Sequence, residues 1–179
     1  MEKSFYVYDL SEVKKLERKI MLSIEKAGRQ VAEVIETEGA GSLFYKIKFG
    51  GIGADPLSTD RDLNLIEQVN QSFTYLATLR SLEILFDSYG NYAPFKVNLG
   101  TTAGLDIESL GGLVAAEVFA AVSPNNNRKL AKDIEKVAGS NAKHKFVFML
   151  CPEFKEGRLS DLDKRGVQVW GVRGIDPIL

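Results

Sequence analysis

Asp106, Glu108 and Glu117 are the residues whose types and spacing could do chemistry in this chain. Leu105-Asp106-Ile107-Glu108 alternates apolar and acidic residues, so as a strand it puts Asp106 and Glu108 on one face. From Leu113 to Val122 nearly every residue is apolar, as in a strand buried on both faces, and Glu117 interrupts the run near its middle. The Gly111-Gly112 pair predicts a tight turn between the two strands. A lone carboxylate in a central strand is costly to bury without a cation beside it. Carboxylates converging from neighbouring strands also raise one another's pKa. A divalent cation would relieve that repulsion, because Mg²⁺ is held by one or two carboxylates plus waters. The stretch reads as a metal site, or the remains of one.

The elements that position these acids follow from periodicity. After the second strand, Ser123-Pro124 predicts an N-cap followed by proline at the first helical position. Leu130, Ile134 and Val137 form the inward stripe of that helix. At about 100° per residue, Lys129 and Asn126 flank the stripe while Lys132 points away. Lys129 is therefore the lysine expected to lean back over the sheet. Two long amphipathic helices come earlier, Leu10 to Glu38 with Asp9 or Ser11 as N-cap and Leu63 to Phe86 capped by Asp62. Glu67, Asn70 and Gln71 form a polar stripe on the second, from which Glu67 or Gln71 could reach a nearby site. Leu43 to Phe49 predicts a strand. Gly50-Gly51-Ile52-Gly53 reads as a turn with positive φ, since neither a Gly-Lys-Ser/Thr sequence nor a helix start follows to make a phosphate loop.

Phe95 to Leu99 predicts a strand, with a turn from Gly100 to Gly104. His144 to Leu150 predicts another strand, Leu159 to Lys164 a short helix with Gly166 as C-cap, and Val167 to Val172 a final strand. His144 has no partner at ligand spacing and reads as structural or exposed, and Cys151 has no recognisable catalytic partner in the sequence. The order is helix, three strands, helix, strand, helix, strand. The first three strands are close enough to form a meander, and the later ones need parallel crossovers. An α/β fold with a mixed central sheet and helices on both faces follows.

Composition bounds the rest. With 179 residues, 45% hydrophobic and 26% charged, the chain suits one domain with a sizeable core. A net charge of −1 gives no overall basic footprint, so a polyanion would need a local patch. One cysteine excludes an internal disulfide. The first ten residues mix charges with aromatics, unlike a secretory signal, and no apolar run is long enough for a membrane span. A cytoplasmic protein without a membrane partner is the expectation.

The stretch from Leu63 to Val172 resembles the common core of the PD-(D/E)XK nuclease superfamily, the restriction-endonuclease-like fold. Leu105-Asp106-Ile107 is similar to the family's first acidic element and Ala116-Glu117-Val118-Phe119 to its second. Phe119 stands where the family carries a lysine, and some members supply that cation from the following helix, where Lys129 lies. The resemblance implies a nuclease-like αβββαβαβ core over 62–174, with 1–61 as an N-terminal helix and strand extension of one domain. It implies Mg²⁺ or Mn²⁺ on Asp106 and Glu117, completed by Glu108 or Glu67, with Lys129 as the catalytic cation and Gln71 in support. Asn126, Arg128 and Lys132 would contact DNA, in a homodimer whose basic clusters line one cleft. The alternative is a catalytically degenerate nuclease-fold protein that binds nucleic acid or a partner protein.

Overall fold

The computed structural model describes residues 4–99 and 104–175, apart from the side chains of residues 59, 60 and 126. Among the described residues it is a mixed α/β structure built on a seven-stranded mixed sheet with four α-helices. Helix α1 (Leu10–Thr37) starts where the Asp9 carboxylate accepts from the Ser11 and Glu12 N–H groups, satisfying two donors that the first turn cannot. Its buried residues include Val13, Ile20, Ala27 and Val34, seven apart, the inward stripe that the sequence pattern predicts.

Helix α2 (Gly39–Phe49) replaces the strand expected over Leu43 to Phe49. The short apolar run fits either period. What decides is that Leu43 and Ile47, four residues apart, share one helical face and pack against Val31 and Val34 of α1. Gly50, Gly51 and Gly53 all have positive φ, as the turn reading required. Strands β2 (Ala54–Asp55) and β3 (Ser58–Asp62) then form a small separate hairpin that the pattern did not signal. Because β3 runs through Asp62, the cap of helix α3 (Leu65–Tyr89) is Asn64, whose side chain accepts from the Glu67 N–H, and not Asp62.

The main sheet is formed by β1 (Ser4–Val7), β4 (Phe95–Asn98), β5 (Ile107–Ser109), β6 (Val114–Ala120), β7 (His144–Leu150), β8 (Gly157–Arg158) and β9 (Gln168–Gly171). Their order is β1-β4-β5-β6-β7-β9-β8. From β1 to β6 every pairing is antiparallel; β6, β7 and β9 run parallel, and β8 closes the edge antiparallel. The N-terminal segment is thus built into the sheet, with β1 paired to β4.

Side chains alternate across β6. Val114, Ala116 and Val118 join the core under α1 and α3, with Leu76, Leu79 and Leu82. Phe119 faces the other way, packed with Ile134 and Val137 of α4 (Lys129–Ala138). Helix α4 starts later than Ser123-Pro124 would place it. A 3₁₀ turn covers Asn126–Arg128, and Asn127 and Arg128 hold positive φ of 53° and 57° before the helix begins. Asparagine tolerates that left-handed region, so an Asn-rich run can delay helix entry. The helix expected over Leu159 to Lys164 is one 3₁₀ turn, Ser160–Leu162. Gly166 lies in the tight turn that bridges Lys164 and Val167 and caps no helix. Of the turn expected over Gly100 to Gly104, residues 100–103 lie outside the described residues. Among the described residues, no helix is long and apolar enough to cross a membrane.

Candidate acidic site on the central sheet

The β5–β6 register pairs Ile107 with Ala116 and Glu108 with Ala115, so the next step along brings Asp106 level with Glu117. Asp106 lies just outside β5, and its groups are held individually. Its N–H donates to Glu117 Oε1 at 3.3 Å, its Oδ2 accepts from the Val118 N–H at 2.8 Å, and its carbonyl accepts from the Asn98 N–H at 2.8 Å. The two acids predicted to converge lie side by side on the α4 face of the sheet.

Helix α4 lays cations across that face. Lys136 Nζ donates to Glu117 Oε1 at 2.7 Å. Lys129 Nζ donates to Asp133 Oδ1 at 2.6 Å and sits 5.7 Å from the centroid of the Phe119 ring. The lysine on Glu117 is therefore Lys136, where the helical wheel nominated Lys129. The wheel did hold the signal: seven residues is two turns, so Lys136 lies only about 20° from Lys129. Asp133, between them and inward, was also missed. Glu117 and Asp133 are each 3% exposed, and among the described residues Asp133 Oδ2 has no hydrogen-bond partner.

The electrostatics follow from burial. Asp106 is pushed up to about 6, first by its desolvation and then by the negative charge of Glu117, against the Val118 hydrogen bond. Burial also raises Asp133, with Glu117 adding to it and Lys129 opposing it. For Lys136 burial works downward, but the hydrogen bond and charge of Glu117, with Asp106 and Asp133 behind it, outweigh burial and raise its pKa. The site is a network of three acids and two lysines in which protons and cations compete for the same oxygens.

The other candidates fall elsewhere. Glu108 shares the sheet face but stands level with Lys96 and Ala115, two residues along from Asp106. Glu67 and Gln71 belong to α3, which packs on the opposite face of the sheet, so neither reaches the acid pair. Gln71 accepts a hydrogen bond from the Tyr75 hydroxyl at 3.0 Å. Arg128 and Lys132 are exposed, and the side chain of Asn126 lies outside the described residues. His144 Nε2 is 3.2 Å from the Tyr92 hydroxyl and its ring packs on Tyr89, while Cys151 is buried and its Sγ donates to the Val122 carbonyl.

Compared with protein-family models, with curated proteins and with solved structures, the chain finds no significant match in any of the three. Among the described residues, no group of three or more His, Cys, Asp or Glu is arranged to hold a metal. What the geometry offers a cation is a pair of carboxylates, with the remaining positions left to water or to a phosphate oxygen.

Proposed function

We propose that this chain is a divalent-metal-dependent nuclease-like protein acting on DNA phosphodiester bonds, with a core similar to the restriction-endonuclease-like fold. The succession α3, β4–β5–β6 antiparallel, α4, then β7 parallel to β6 supports that likeness. The observation that carries the proposal is the juxtaposition of Asp106 and Glu117 across β5 and β6, with a lysine of the following helix on Glu117. Phe119, at the motif lysine's place, is buried against α4, so the cation must come from the helix. Lys136 fits that role better than Lys129, which Asp133 holds.

The acid pair suits Mg²⁺ or Mn²⁺ because burial first, and then the charge of Glu117, push Asp106 up to about 6, and a cation would offset that charge. Bound there, the ion would lower the pKa of a coordinated water and offset charge on the phosphate. Asp106 would give up its proton, kept in place by the Val118 N–H. Lys136 would turn from Glu117 toward the phosphate oxygens, a short swing for a side chain that is 47% exposed.

One observation favours the catalytically degenerate alternative. In the structure an ammonium already sits 2.7 Å from Glu117 Oε1, and a satisfied ion pair needs no metal. Calorimetric titration with Mn²⁺ separates the two readings, using wild type beside Asp106→Ala and Glu117→Ala. Binding abolished by both substitutions supports the nuclease. A folded wild type that takes up no Mn²⁺ supports the degenerate protein.

A further inference from the structure

Helix α2 is apolar on both of its sides. Leu43 and Ile47 turn inward onto Val31 and Val34 of α1. The outer side carries Ala40, Gly41, Phe44, Tyr45, Lys48 and Phe49, all exposed. At about 100° per residue these six fall within one half of the helix circumference. Phe44 is 74% exposed, Tyr45 66% and Phe49 70%, and the Tyr45 and Phe49 rings lie 5.1 Å apart. A helix that is apolar all round needs a second surface to bury it. With roughly 200 Å² per aromatic side chain, the three rings leave about 400 Å² in solvent. That is about half of what one partner contributes to a stable interface.

We propose that a second copy of this chain covers the face, with α2 packed antiparallel on α2 about a two-fold axis between Phe44 and Tyr45. In that arrangement the order of residues along the face is self-complementary, as an isologous contact requires. Phe44 meets Tyr45 of the second copy at the axis. Phe49 falls on Ala40, and Lys48 on Gly41, where an added Cβ would meet nothing within 4 Å. Large side chains therefore face small ones at both ends. The charges agree. Gly39–Phe49 carries two lysines and no acid, while Glu33, Glu36 and Glu38 precede it. Lys46 pairs with Glu38 inside the chain, but among the described residues Lys48 and Glu36 are exposed and form no ion pair. Antiparallel packing carries Lys48 of each copy to the Glu36 end of the other. An anionic membrane would meet the same acids and be repelled. Because α2 packs on α1 and the acid pair lies on the α4 face of the sheet, each copy keeps its acid pair outside the interface.

The interface stands or falls independently of the metal chemistry. Sedimentation of the full chain over a concentration series tests it. Wild type should be a dimer, and Phe44→Ser/Tyr45→Ser should weaken dimerisation about a hundredfold or more, since each lost ring counts twice across a two-fold. Should that variant not fold, Lys48→Glu is read instead: it should weaken the dimer severalfold, and adding Glu36→Lys should restore it. Oxidative cross-linking tests the register, because the native Cys151 is buried. Tyr45→Cys, beside the axis, should form a disulfide-linked dimer. Ala40→Cys should not, since nine steps of about 1.5 Å separate its two copies along the helix. A monomeric wild type, a dimer indifferent to Phe44→Ser/Tyr45→Ser, or cross-linking at position 40 in place of 45 would overturn the proposal. So would a monomer that floats with anionic vesicles until Phe44→Ser/Tyr45→Ser releases it, because a membrane would then own the face.

Discussion

Burial and the charge of Glu117 give Asp106 a part in how stability depends on pH. Its pKa rises from 3.8 unfolded to about 6 folded, so between those values the folded state keeps a proton that the unfolded chain has released. Stability is therefore greatest below about pH 4 for this group and is lost as pH rises through 6, by at most about 3 kcal/mol. Asp133, raised by burial, acts in the same direction. Asp106→Asn keeps an oxygen for the Val118 N–H and removes the charge. It should raise the melting temperature at pH 7.5 and flatten this part of the stability profile between pH 4 and 7; an unchanged profile would mean that Asp106 is not the titrating group. The neighbouring pair obeys a different rule. Removing the ammonium in Lys136→Met leaves Glu117 buried beside Asp106, which should cost about 1–2 kcal/mol, less than for a fully buried pair because solvent reaches the lysine. Adding Glu117→Gln to that variant should recover most of the loss, since the carboxylate that the ammonium neutralises is then gone. A double-mutant cycle by urea denaturation measures it, and simple additivity of the two changes would refute the coupling. The acid pair was legible in the sequence because a strand's period of two and one Gly-Gly turn fix which residues meet. The lysine was harder to choose, because Lys129 and Lys136 share one face of the helix and only packing decides which of them reaches Glu117.

At the scale of elements, period sufficed where an element is long or buried on both faces. Helices α1 and α3 repeat their apolar residues over many turns, and β6 and β7 are almost wholly apolar, so each lies close to where the pattern predicts it. Pattern failed where elements are short and contacts decide. Leu43 and Ile47 became helical because α1 offers them a packing partner, and the β2–β3 hairpin and β8 carry too few residues to show a period. The β8–β9 edge illustrates a contact that no pattern contains. A Cβ on Gly171 would clash with the Lys155 carbonyl oxygen, a backbone atom that cannot rotate away. Gly171→Ala should thus destabilise by about 1–3 kcal/mol, as overpacking does. Backbone amides of β8 and the Cys151–Lys155 loop should lose hydrogen-exchange protection while those of β5 and β6 keep theirs; uniform loss across the sheet would contradict a local clash.

For the whole molecule, the site joins the antiparallel and parallel halves of one sheet, so anything that binds there should report on global stability. Glu117 lies on β6 and Asp106 immediately before its antiparallel partner β5, and Lys136 comes from the crossover that makes β6 and β7 parallel. Unfolding separates these groups, which confines a two-carboxylate cation site to the folded state. On the proposed reading, Mn²⁺ at a hundred times its dissociation constant should stabilise the fold by about 2.7 kcal/mol, and a chelator should remove the whole gain. The sign of its pH dependence follows from Asp106. A proton and a metal compete for the same carboxylate, so the Mn²⁺-induced rise in melting temperature should be small at pH 5, where Asp106 is largely protonated, and full by pH 7.5, where it is ionised. Glu117→Gln lowers the Asp106 pKa by removing the neighbouring charge, yet it also removes a ligand, so it should abolish the rise at every pH. Lys136→Met should enlarge it instead, because the ammonium no longer competes for Glu117 Oε1. A rise that is independent of pH, or that survives Glu117→Gln, would place the ion elsewhere on the molecule and leave Lys136 as the resident cation of the acid pair.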